Sequence, residues 1–259
     1  MNEIKGSTSL EAAALEIKDL SLLIGKSRII DQVSLSISKG ETVGLIGPNG
    51  SGKTTLFNCI SGFLKPWAGK IYINGFDATA SSPSERAHLG IGRVFQNSGV
   101  FRDLTLMENL LLALEAQKSP LSSFIPWGSR PRKLRKEAIE ILSTINLADK
   151  ADKPASSLSG GQLRLLEIVR SVAFGAEIFL LDEPTAGVSP KMKEGVSDLI
   201  KNLQKLGKTI LIIEHDMNFI QAFCKRIAVL DGGRVALDDT PENVRGDKTL
   251  QQIYFGNGS

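Results

Sequence analysis

The chain has 259 residues, 42% of them hydrophobic, 23% charged and 6% aromatic, a balance that excludes disordered, collagenous and coiled-coil chains. Its formal charge of +3 is too small to signal nucleic acid, so no nucleic-acid partner is expected. No apolar stretch approaches the roughly 20 residues that cross a bilayer and the start lacks a secretory apolar run, so a cytoplasmic, non-spanning protein is expected.

Residues 1–14 lack periodicity and read as a mobile tail, with structure starting near Leu15. LEIKDLSLLI and QVSLSIS, the latter with Val33, Leu35 and Ile37 alternating against polar neighbours, predict antiparallel strands with one buried face. Thr42–Gly47, TVGLIG, is instead a near-continuous apolar run ending in glycine, the pattern of a buried parallel strand. A helix over TTLFNCISGFL follows, and KIYING returns to the antiparallel pattern with an Asn-Gly turn at 74 and 75. Cys59 and Cys224 show no metal spacing and read as reduced packing residues.

Residues 104–150 carry two helix-period segments, LTLMENLLLALEA and RKLRKEAIEILSTINL, joined by a Pro- and Ser-containing loop. The basic run 130–136 reads as a solvated helix face. IFLLD and TILIIEH have the composition of parallel strands, and the helical PKMKEGVSDLIKNLQKLG between them completes a βαβ unit. RIAVLDGGRVALD predicts a hairpin, and Thr240 followed by Pro241 caps a short terminal helix.

The strongest local motif is Gly47-Pro48-Asn49-Gly50-Ser51-Gly52-Lys53-Thr54-Thr55, a G-x-x-x-x-G-K-[ST] match after a buried strand and before a helix. Phosphates need many donors at close range, so glycines let backbone N–H groups curl around the anion while the helix N-terminus adds its positive dipole end. Lys53 then reaches the β and γ phosphates, and the Thr54 hydroxyl takes a Mg²⁺ position. A bare strand-to-helix turn would explain the glycines but neither Lys53 nor Thr54.

A triphosphate site also needs a metal-side carboxylate and a group that orients water. Asp182 and Glu183 supply both at the end of a buried strand, Asp182 as Mg²⁺ partner and Glu183 as general base for attack on the γ-phosphate. Leu158-Ser159-Gly160-Gly161-Gln162 lies about 20 residues earlier and opens an amphipathic helix, with Ser159 as N-cap. Its glycines expose N–H groups at a helix N-terminus, a second phosphate-binding surface in one chain.

With these motifs in this order, the chain resembles the ATP-binding subunits of ABC transporters, whose signature is LSGGQ. The resemblance spans about residues 15–257. It implies an α/β fold: a P-loop NTPase core with a RecA-like parallel sheet (15–96 and 176–257), an antiparallel β subdomain and an inserted α-helical subdomain (97–175). It also assigns Gln96 to sensing Mg²⁺ and the attacking water, and His215 to the γ-phosphate. ATP and Mg²⁺ are the implied cofactors, and Ser159, Gly160, Gly161 and Gln162 would meet ATP held by a second ATPase subunit. The other implied partners are integral membrane permease subunits, which would hold the chain at the inner face of the cell membrane, and a periplasmic or extracellular solute-binding protein. The segment after Gln96, with Phe101, Leu104 and Leu106, would form the groove for a cytoplasmic permease helix.

VFQNSGVFRDLTLMENLLLA, AGVSP, EHDM and QQIYFG are similar to the ATPases of branched-chain amino acid uptake and their amide or urea relatives. An ATPase of lipid or lipopolysaccharide export is the nearest alternative. A soluble ABC ATPase acting on nucleic acid or ribosomes comes next, but the chain has neither two cassettes nor a long coiled-coil insertion. A GTPase is disfavoured because no Asn-Lys-x-Asp motif is present. Two positions depart from the family. Ile24 stands where an aromatic ring normally stacks on adenine, which predicts poor discrimination between ATP and GTP; Ser189 stands where an Asp normally helps connect the two nucleotide sites.

Overall fold

The computed structural model of the chain describes residues 13–95, 99–118, 132–247 and 250. Strand β1 (Ala13–Ile24) turns at Gly25, whose φ of 61° is left-handed, into β2 (Ser27–Ser38). Ala13 and Ala14 are therefore strand, with Ala14 buried, and the last two residues of the expected tail are ordered by pairing. β4 (Ala68–Ile73) flanks β1 and passes through Asn74 and Gly75, both at positive φ, into β5 (Phe76–Asp77). The antiparallel sheet has the order β2-β1-β4-β5.

The second sheet contains β3 (Thr42–Ile46), β6 (Ile91–Val94), β7 (Ile178–Asp182), β8 (Thr209–Ile213), β9 (Arg226–Asp231) and β10 (Arg234–Asp239). Its order is β10-β9-β3-β8-β7-β6, parallel except for the β9–β10 hairpin at the edge. Every residue of β3, β7 and β8 is buried, which is why their sequences do not alternate. Phe179, Leu181, Ile210 and Ile212 face one core; Val43, Leu45, Leu180 and Leu211 face the other.

The second of these cores lies between the two sheets and takes in Leu56 and Phe57 of α1 (Lys53–Ile60). The first is continuous from the parallel sheet through α6 (Pro190–Lys205) and α7 (Met217–Phe223) into α3 (Leu106–Lys118), α4 (Arg132–Ser143) and α5 (Gly160–Ala173). Each large side chain buried there contributes about 1.5–3 kcal/mol before entropy is counted. On α4, Arg132, Lys133, Arg135 and Lys136 are exposed and Leu134 is buried, as a solvated basic face requires. Both cysteines are free and buried. Among the described residues no helix is long and apolar enough to cross a membrane.

Sequence reading missed β6, α2 (Pro83–His88) and α7. β6 has four residues including Gly92, and seven-residue α7 gives hardly two turns of periodicity. For α2 a signal existed: Ser82 and Glu85 form a capping box with Pro83 at the first helical position. The last helix, α8 (Pro241–Gly246), is capped by the Thr240 hydroxyl as expected.

Candidate functional site

Parallel pairing levels the C-terminal ends of four strands. Leu45 lies beside Ile213, Ile213 beside Asp182, and Leu181 beside Val94. The loop after β3, the Asp182–Glu183 pair at the end of β7 and His215 after β8 therefore meet at one sheet edge, where ligands bind in open α/β sheets.

In the 47–52 loop, Gly47, Gly50 and Gly52 have φ of 148°, 82° and 104°. A Cβ at Gly47 would stand 2.0 Å from Leu230 O and one at Gly52 2.9 Å from Ile29 O, whereas Gly50 faces open space. Two glycines thus let the loop lie against neighbouring backbone, and the third leaves it open. Lys53 Nζ donates to Gly47 O (2.8 Å) and Pro48 O (2.9 Å); an ammonium has three donors, so one remains for an anion. Burial lowers the Lys53 pKa, opposed by Glu183 and Asp182. Ser51 Oγ is buried with no hydrogen-bond partner, an orphan donor in the loop wall. Gly52 caps α1 without any side-chain acceptor, Thr54 is exposed and Thr55 is half-buried on the first turn. This ring of donors fits a phosphate chain.

Asp182 is buried, and burial raises its pKa despite the opposing Arg93 guanidinium. Asp182 Oδ2 lies 3.5 Å from Arg93 Nη2. Glu183 adopts a φ of 48°, a strained value for a residue with a Cβ, and its N–H donates to Ile213 O at 2.9 Å. Glu183 Oε1 lies 3.0 Å from His215 Nε2. The buried Glu214 accepts from Thr185 N (2.9 Å) and Thr185 Oγ1 (2.6 Å), tying the segment after Glu183 to the end of β8. Asp182 and Thr54 offer hard oxygen donors, a set suited to Mg²⁺ alongside phosphate oxygens.

Ser159 caps α5: its Oγ accepts from Gln162 N (3.3 Å) while Gln162 Oε1 accepts from Ser159 N (3.2 Å). These bonds close within the segment and reach no residue of the 47–55 loop. Gly160 has open space around it, but a Cβ on Gly161 would lie 2.5 Å from Met192 Cγ. Ile24 is 52% exposed at the end of β1. Ser189 caps α6 without a side-chain hydrogen bond.

Gln96 lies outside the described residues. Its flanks are gripped from α5: Phe95 N and Gly99 N both donate to Glu167 Oε1, at 3.1 and 3.0 Å. Arg164 donates to Phe95 O, and Arg170 Nη1 to Gly99 O at 2.6 Å. Glu167 is buried, and burial raises its pKa. Sequence reading missed this clamp and Arg93; charges within the apolar LRLLEIVR helix were the available sign of buried ionic work. Nearby, a cavity of about 460 Å³ is lined by Phe95, Phe101, Ala113 and Arg170. Phe101 is half-exposed and Leu104 is partly buried. Leu106 is fully buried in the helical core, so the expectation that it lines the groove is corrected.

The profile of the family described as ABC transporter matches residues 30–186, more than half of the chain. The high-affinity branched-chain amino acid transport ATP-binding protein LivG of Salmonella typhimurium is 37% identical over 93% of this chain and 97% of its own length. The lipopolysaccharide export system ATP-binding protein LptB of Haemophilus influenzae is 34% identical with the same coverages. A crystal structure of an ABC-transporter ATP-binding cassette in its ADP conformation superposes with a TM-score of 0.82 at 33% identity, covering 95% of this chain and 99% of that one. On this evidence, and on a phosphate loop set level with Asp182, Glu183 and His215, the chain belongs to the ABC transporter family as an ATP-binding, ATP-hydrolysing subunit.

Proposed function

We propose that this ATPase drives uptake of branched-chain amino acids or related small solutes through membrane permease subunits. The observation that carries the chemistry is the convergence of the 47–55 loop, Asp182, Glu183 and His215 on one sheet edge. Backbone N–H groups between Gly47 and Gly52, other than at Pro48, the Ser51 hydroxyl and Lys53 would hold the phosphates, and Thr54, Asp182 and Gln96 would hold Mg²⁺. When bound, the metal offsets charge on the phosphate oxygens. Glu183 accepts the proton of a water as that water's oxygen bonds to the γ-phosphorus and the bond to ADP breaks, leaving ADP and phosphate. His215, 3.0 Å from Glu183, orients that carboxylate and contacts the γ-phosphate. Ile24 gives the base apolar contact.

The capping bonds between Ser159 and Gln162 close within the segment and Gly160 faces open space, and in this reading Ser159, Gly160, Gly161 and Gln162 close on ATP held by a second subunit. Two ATP molecules join the pair, and loss of the γ-phosphate releases it. The permease subunits hold the dimer on the inner face of the membrane, and a periplasmic or extracellular solute-binding protein delivers the solute. The likeness to LivG at 37% identity supports the solute class; the likeness to LptB at 34% makes lipid export the second reading. Co-purification with the membrane subunits, followed by ATP-driven transport of leucine, isoleucine or valine into vesicles, tests this. Leucine flux carries the proposal, and lipid release without amino acid flux overturns it. A Glu183→Gln variant that never pairs under saturating ATP and Mg²⁺ removes the shared-site mechanism.

A further inference from the structure

Arg93 lies in β6, three residues before Gln96, with 6% of its side chain exposed. Nη2 lies 3.5 Å from Asp182 Oδ2, while Nη1 donates to Asn58 Oδ1 (2.6 Å) and Ser61 Oγ (2.7 Å). Asn58 belongs to α1, the helix that opens at Lys53, and Ser61 caps its end. The rings of Phe57, Phe63 and Phe95 lie 5.8, 5.9 and 4.9 Å from the guanidinium carbon. Burying a cation is costly unless hydrogen bonds and an opposite charge compensate it. Both are present here at Nη1 and Nη2, with Nε left buried and unpartnered, and they set the guanidinium against the strand that ends in Asp182.

We infer that Arg93 is a positioning residue that orients the Asp182 carboxylate for the metal. Its Nη2 stands 3.5 Å from Oδ2, which would leave Oδ1 for Mg²⁺ or its water. It also ties that carboxylate to α1, which carries Lys53 and Thr54, and to the backbone that leads into Gln96. Nearest-neighbour groups of this kind set ligand orientation, and their loss commonly weakens metal binding 10–100-fold. The inference rests on the assignment of Asp182 to Mg²⁺ given above.

The test titrates a non-hydrolysable ATP analogue calorimetrically, with Mg²⁺ varied and with EDTA, into the wild type, Arg93→Lys, Arg93→Met and Asn58→Ala. Arg93→Met should raise half-saturating Mg²⁺ about tenfold or more while leaving analogue affinity in EDTA within about twofold. Arg93→Lys, which keeps the charge, should recover part of the loss. Asn58→Ala loosens the anchor without removing the ion pair and should shift Mg²⁺ in the same direction by less; it decides the matter if Arg93→Met does not fold. A lowered melting temperature with unchanged Mg²⁺ dependence in these variants overturns the positioning role. A wild type whose analogue binding ignores Mg²⁺ overturns the metal assignment itself, a separate failure.

Discussion

His215 Nε2 and Glu183 Oε1 lie 3.0 Å apart although 32 residues separate them in the chain. The pair exists because β7 and β8 are adjacent and parallel, with Asp182 opposite Ile213, so the residues that follow each strand emerge together. The Glu183 N–H bond to Ile213 O and the Glu214 bonds to Thr185 hold both segments.

Glu183→Gln should therefore cut ATP turnover by about two orders of magnitude or more while leaving ATP affinity intact, since the amide keeps the shape but cannot take a proton. His215→Ala should lower kcat by less, because it removes the orienting contact and not the base. Steady-state rates with a direct ATP titration check both; an undiminished rate in Glu183→Gln removes Glu183 from its role.

Lys53→Ala should fail at binding itself, since the side chain bridges Gly47 O and Pro48 O and keeps a donor for phosphate. Calorimetric ATP titration reads this directly, and wild-type affinity in the variant contradicts it.

With exposed Ile24 in place of an aromatic ring, ATP and GTP should bind with similar affinity. Ile24→Tyr should tighten nucleotide binding by about 1–3 kcal/mol, the range of base–aromatic stacking. Competition binding decides this, and a many-fold preference of the wild type for ATP would sink it.

The adjoining signature glycines should respond differently to alanine. Gly161→Ala pushes a methyl group to 2.5 Å from Met192 Cγ and should destabilise the fold by about 1–3 kcal/mol. Gly160→Ala enters open space and should stay within about 0.5 kcal/mol of wild type. Urea unfolding of the two variants measures the contrast.

Burial pushes the Cys59 thiol from 9.0 up to about 11 and that of Cys224 up to about 12. Both should resist iodoacetamide at pH 8 in the native protein and react after denaturation. Because the folded state disfavours the thiolate, their contribution is complete below pH 9 and declines as pH rises from 9 through 11 to 12. Melting temperatures across that window should fall more steeply in wild type than in a Cys59→Ala, Cys224→Ala variant.

Much of the site was legible because its parts are local. A loop that wraps phosphate needs glycine where φ is positive, a capping box needs Ser159 and Gln162 three apart, and a tight hairpin needs Asn74-Gly75. Buried parallel strands likewise announce themselves as unbroken apolar runs, as β3, β7 and β8 did.

Sequence alone thus determined the strand types outside β6, the phosphate loop, the Ser159 and Thr240 caps and the identity of the carboxylates at the end of β7. Only tertiary structure decided that β8 separates β3 from β7, that His215 meets Glu183, that Arg93 reaches both Asp182 and Asn58, and that Glu167 grips Phe95 and Gly99. The first group follows from backbone dihedrals and burial within a few residues, which composition and spacing encode. The second joins residues tens of positions apart, and such pairings are fixed by the packing of the whole sheet and its helices, with no periodicity of their own.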